Sequence, residues 1–169
     1  ADEAGTLAAL KARRSQVLVP LVAKHQGRVF KVTGDGVLVE FTSAVNAVQC
    51  AVDLQQGMAA ANDGQPEERH IVLRIGVNLG DVMVEDSDLY GDGVNIAARL
   101  EAIADPGGVI VSGTAFDHIK SKVKVGFEDI GPQSLKNIAE PVRAYRVTGT
   151  SAVTGAISTR GRFFAKCKT

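Results

Sequence analysis

Asp35 stands between two glycines in Gly34–Asp35–Gly36. Glycine on both sides permits positive φ and leaves open space beside the carboxylate. An oxygen donor on such a turn suits a divalent cation, with phosphate and water oxygens completing the octahedron that Mg²⁺ prefers. The same Asp-Gly pair is also what a tight hairpin demands for backbone reasons alone. Lys31 comes four residues earlier, roughly 13 Å away along one face of a strand. That is too far for an ion pair, but it suits opposite ends of a nucleotide or two different sites; a solvated strand lysine has the same appearance. Asn95 and Arg99, also four apart, fall on one face of a helix. A guanidinium fork matches phosphate oxygens, and an asparagine amide can bond a ribose oxygen or hydroxyl. An exposed helix face carries such pairs without function too. Asp88, in the acidic run Glu85–Asp86–Ser87–Asp88, and Lys136, in Leu135–Lys136–Asn137, complete the charged candidates, each with an ordinary loop explanation beside it.

The tetrapeptide Gly-Asp-Gly-Val that contains Asp35 occurs again at Gly91–Val94, in the opposite context. Around the first copy, β-branched and aromatic runs from Arg28 to Phe41 predict a hairpin. The second copy opens Val94–Asn95–Ile96–Ala97–Ala98–Arg99–Leu100, which reads as turn, cap and helix. Upstream, apolar residues at near-helical spacing predict a helix over 4–24, kinked or restarted at Pro20 and ended by Gly27. Ser43 is the expected N-cap of a second helix that buries Ala44, Ala47, Val48, Ala51, Leu54 and Met58. Strands are predicted over 71–79, 81–85, 109–111, 122–130 and 142–147, with a short helix capped by Ser112 or Thr114. From 149 to 169 the residues are small, polar and basic, and read as an irregular basic tail after a domain spanning 1–148.

The chain of 169 residues is long enough for one domain with a substantial core. Lysine plus arginine and aspartate plus glutamate both total 19, so no net field draws it to nucleic acid or an anionic membrane. No apolar run approaches the length of a membrane span. Two cysteines, Cys50 and Cys167, make no disulfide framework, and a reducing cytoplasm is the expected setting. Cys50 falls on the apolar stripe of its helix. His25, His70 and His118 are scattered without ligand spacing and are expected at the surface. Neither a Walker motif nor a Gly-x-Ser-x-Gly elbow is present.

Taken together, Phe30–Lys31–Val32–Thr33–Gly34–Asp35–Gly36, Arg74–Ile75–Gly76–Val77–Asn78–Leu79–Gly80–Asp81, Asp88–Leu89–Tyr90–Gly91 running on through Arg99, and Pro106–Gly107–Gly108–Val109 resemble the catalytic domain of the class III nucleotidyl cyclases. The resemblance implies an α+β, ferredoxin-like sandwich of a mixed or antiparallel sheet with helices. It implies conversion of ATP to 3′,5′-cyclic AMP and pyrophosphate, with two Mg²⁺ or Mn²⁺ ions. Asp35 matches a metal-binding aspartate. Lys31 and Asp88 match the pair that reads the purine, Asn95 the ribose-orienting residue, Arg99 the transition-state arginine, and Lys136 the β/γ-phosphate ligand. The lysine–aspartate pair suits adenine, whose N1 accepts a hydrogen bond while its N6 amino group donates one. The resemblance also implies a homodimer, with each active site shared between subunits. The family's other metal aspartate lies in a strand ahead of the first helix, and Asp2 and Glu3 do not match it. With no initiator methionine, the chain is expected to be a fragment that lacks this first strand. The rival expectations are a non-catalytic nucleotide-binding or dimerising module, and a guanylate cyclase.

Overall fold

The computed structural model of the protein describes residues 3–33, 36–67, 70–79, 92–148 and 161–168. Two helices open it, α1 (Glu3–Arg13) and α2 (Val19–Lys24), joined by a π-helical stretch, Arg14–Leu18. Pro20 sits in the first turn of α2, where its missing N–H disturbs the helix least. The widened turns just before it take up the irregularity predicted as a kink. Gln26, with φ of 60°, then reverses the chain. Strands β1 (Gly27–Thr33) and β2 (Gly36–Phe41) form the expected antiparallel hairpin, with Thr33 opposite Gly36. The tip that carries Asp35 lies outside the described residues, as does the predicted strand over 81–85.

Helix α3 (Ala44–Asn62) starts where the Ser43 hydroxyl oxygen accepts the Asn46 amide at 3.3 Å, the predicted cap. Its predicted stripe is buried throughout. The rest follows as β3 (Val72–Asn78), α4 (Asp92–Ile103), β4 (Val109–Ser112), α5 (Gly113–Ile119), β5 (Phe127–Gln133), β6 (Val142–Val147) and β7 (Gly161–Lys168). Ser112, rather than Thr114, caps α5, accepting the Ala115 amide. The strand predicted over 122–130 begins later, at Phe127, and runs to Gln133 around a register shift between Asp129 and Gly131.

The strands make one mixed sheet in the order β1-β2-β7-β3-β4-β6-β5. β3 and β4 run parallel, and the other neighbours pair antiparallel. Residues 161–168 correct the expectation of an irregular tail. They form a central strand, with Gly36 opposite Lys166 on one side and Arg74 opposite Lys166 on the other. The sheet divides two cores. Val37, Val39, Phe41, Leu73, Ile75 and Val77 pack with α3 and α5 on one face, while Leu100, Ala104, Ile110, Leu135 and Ala144 pack around α4 on the other.

His25 also departs from expectation. It is buried at the corner between α2 and β1, and its Nε2 lies 2.8 Å from Asp53 Oδ2, which satisfies a polar group cut off from water. Near it, burial and then the Asp53 charge push the Cys50 thiol up to about 12. The folded chain therefore holds a proton that the unfolded chain releases above about pH 9. Stability should fall as pH rises from there toward 12, by at most about 1.4 kcal/mol per pH unit from this group. A Cys50→Ala variant should show a shallower decline in urea midpoint over that range, and iodoacetamide should label Cys50 only on unfolding. Ready labelling of Cys50 in the folded protein would contradict this.

Candidate active site

Four of the six candidate residues are described: Lys31 on β1, Asn95 and Arg99 on α4, and Lys136 between β5 and β6. Asp35 and Asp88 lie outside the described residues. The face that Lys31 occupies is decided by a bulge. The β1–β2 register shifts between Val29 and Lys31, which makes Phe30 an extra residue. Val29, opposite Val39, therefore belongs to the α3 side, whereas Lys31 is opposite Leu38 on the other side. Without the extra residue, Val29 and Lys31 would share a face. The cross-strand row continues from Leu38 through Phe164 to Gly76, directly under α4. Lys31 thus lies on the α4 face, three strand spacings from Gly76, or about 14 Å.

Helix α4 rests on that face because Gly76 has no side chain. A Cβ there would stand 2.3 Å from the Ala97 carbonyl oxygen and 2.4 Å from the Glu101 amide nitrogen. The helix buries Ala97, Leu100 and Glu101, with Ala104 just beyond its end. At about 100° per residue, Asn95 and Arg99 fall on the side away from that buried arc. Accordingly Asn95 is exposed, and Arg99 is half-buried. Lys136 is exposed beside Leu135, which is buried in the α4-side core with Leu100 and Ile110. Lys31, Asn95 and Arg99 are therefore carried on the α4 side of the sheet, and Lys136 follows a residue buried in the core on that side. Arg74, in the row that runs through Lys166 and Gly36 to Thr33, has an Nε buried without a hydrogen-bond partner among the described residues.

Among the described residues, no three histidine, cysteine, aspartate or glutamate side chains converge as a metal site. The donor chemistry nonetheless suits a hard cation bound jointly with a phosphate. Asp35 is a carboxylate flanked in sequence by two glycines, and a triphosphate brings the further oxygens that Mg²⁺ requires. Sequence reasoning overlooked Gly76 and Asn78. The available signals were a glycine inside a strand, which marks a close backbone approach, and a polar residue ending a buried apolar run.

Residues 14–149 match the family model described as the adenylate and guanylate cyclase catalytic domain. The chain belongs to this cyclase family. Over 144 residues it is 61% identical to a Rhizobium meliloti protein named "Putative adenylate cyclase 3", a match that covers 85% of the chain and 24% of that relative. The chain thus spans about a quarter of this relative's length. Among solved structures, the adenylate/guanylate cyclase/hydrolase from Silicibacter pomeroyi superposes with a TM-score of 0.78 at 38% identity, covering 88% of both chains. The adenylyl cyclase CyaB from P. aeruginosa shares the fold, with a TM-score of 0.68 at 22% identity over 88% of this chain and 85% of its own. The expected cyclase-type α+β architecture is therefore the observed one. No helix among the described residues is long and apolar enough to cross a membrane.

Proposed function

We propose that this cyclase domain converts ATP to 3′,5′-cyclic AMP and pyrophosphate, acting in the cytoplasm as a homodimer with shared sites. The observation that supports the reading is that β1 turns Lys31 to the α4 face of the sheet, the face on which the helix carrying Asn95 and Arg99 packs and against which Leu135, next to Lys136, is buried. Lys31 donates to adenine N1, and Asp88 accepts from the N6 amino group. Asn95 holds the ribose so that its 3′-hydroxyl faces the α-phosphorus; attack there forms the 3′-oxygen–phosphorus bond, breaks the bond to the β-phosphate so that pyrophosphate leaves, and gives up the hydroxyl proton to water. Arg99 donates to the phosphate oxygens as negative charge builds on them, and a preorganised cation at that point contributes most in a water-poor site. Lys136 binds the β- and γ-phosphates. Asp35 would hold Mg²⁺ or Mn²⁺ together with the triphosphate, and two such ions would neutralise phosphate charge. Because Asn95 and Arg99 face away from their own sheet, a nucleotide lying against them is still open on its other side. A second subunit closes it, and its Asp35 then belongs to that site.

The full-length protein should release cyclic AMP from ATP with Mg²⁺ or Mn²⁺, and should prefer ATP over GTP by at least about tenfold in kcat/KM. That ratio corresponds to about 1.4 kcal/mol of differential recognition. Chromatographic product analysis decides it. Equal or greater turnover of GTP would overturn the adenine assignment of Lys31 and Asp88. No cyclic product from either nucleotide would replace the enzyme with a binding or dimerising module.

A further inference from the structure

Asn78, the last residue of β3, is buried, and a buried amide is costly unless its hydrogen-bonding capacity is met. Its Nδ2 donates to the carbonyl of Gly93 at 3.1 Å, in the first turn of α4. An α-helix already supplies that carbonyl with the amide four residues on, so this bond uses the second lone pair. The helix does not need it in order to form. It ties the start of the helix to the end of a strand.

A second link in the same place comes from α5. Thr114 Oγ1 lies 3.0 Å from the Leu79 carbonyl and 3.4 Å from Asn78 Oδ1, while Ser112 Oγ is 3.0 Å from Thr114 Oγ1 and accepts the Ala115 amide. Each hydroxyl has a single proton. The Thr114 proton goes to the shorter contact, Leu79, and the Ser112 proton goes to Thr114. The resulting one-way chain fixes the backbone on which Asn78 stands, from the α5 cap through Leu79 to β3.

We propose that Asn78, braced by Thr114, is a positioning residue that sets the axial position and rotation of α4 and thereby aims Asn95 and Arg99. The inference rests on the roles given to those two residues above. Gly76 fixes how closely α4 approaches the sheet, and the Asn78–Gly93 bond, at the helix end nearest Asn95, fixes its rotation. Reacting groups tolerate little error: a displacement of about 1 Å can cost on the order of a hundredfold in rate.

The test uses Asn78→Leu, Thr114→Val and Thr114→Ser in the full-length protein. With ATP and Mg²⁺, Asn78→Leu should lower kcat by about ten- to a hundredfold with KM changed far less. Thr114→Val should give a smaller loss in the same direction, and Thr114→Ser should restore it. Amide exchange at Ala97 and Ala98 should quicken at least about tenfold in the first two variants while α3 keeps its protection. This readout needs no turnover, so it decides the inference even if the wild type makes no cyclic nucleotide and the proposed function fails. Unchanged exchange in α4, or kcat within twofold of an active wild type, would overturn it. If Asn78→Leu does not fold, exchange in Thr114→Val, an exposed site, decides between the two outcomes.

Discussion

Gly76→Ala should lower both stability and turnover, and by more than alanine at Gly27, Gly57, Gly107, Gly108 or Gly113, where an added Cβ would meet less or softer obstruction. The added carbon would meet two backbone atoms of α4, the Ala97 oxygen at 2.3 Å and the Glu101 nitrogen at 2.4 Å. Neither can rotate out of the way as a side chain would. The helix must therefore lift, and lifting it loosens the packing of Ala97 and Leu100, which are fully buried beneath it. Overpacking of this kind costs about 1–3 kcal/mol, and the upper end applies where backbone is the obstacle. The expected result is a lower urea midpoint at unchanged m-value, with kcat reduced by on the order of a hundredfold because Asn95 and Arg99 ride on the displaced helix. A variant with wild-type midpoint and wild-type kcat would show that α4 does not depend on this approach.

Asp35→Ala and Arg99→Ala should each remove nearly all cyclase activity, and mixing the two should bring part of it back. Removing one preorganised donor to a developing oxyanion costs about 10²–10³ in kcat, and loss of a metal carboxylate should cost at least as much. If every site draws Asp35 from one subunit and Arg99 from the other, a mixed dimer has one site with both defects and one with neither. Equal amounts pairing at random give half mixed dimers, each with one good site of two, so about a quarter of wild-type activity should return. Cyclic AMP formation after mixing and re-equilibration measures this. A mixture as inactive as its components would assign both residues to a single chain.

The elements nearest this chemistry were legible because their signals are local. Gly34–Asp35–Gly36 between β-branched runs announces the hairpin, Ser43 announces α3, and the spacing of Asn95 and Arg99 puts them on one helix face. The side of the sheet on which Lys31 stands was not legible. It turns on the extra residue Phe30, and a bulge shows itself only against a partner strand. β7 was missed for a related reason. Phe163, Ala165 and Cys167 alternate with Arg162, Phe164, Lys166 and Lys168, a period-two pattern blurred by Phe164 and by the surrounding basic composition. Even a clear strand signal would not have named partners more than a hundred positions earlier in β2. His25 was misread because its partner, Asp53, comes from a different helix. Residue types told the chemistry; pairings told the geometry.

The central position of β7 bears on how the domain is made on the ribosome. β2 and β3 are synthesised early, yet the strand that joins them is 161–168. At roughly 5–20 residues per second, the interval from the end of β3 to the end of β7 is on the order of 5–20 seconds. Through that interval the hairpin and the β3–β4 unit both have open edges toward the gap, and open edges recruit other strands. The nascent chain is therefore most exposed to misassociation in this window, and a chaperone that shields strand edges would matter more to its yield than one that only covers apolar surface.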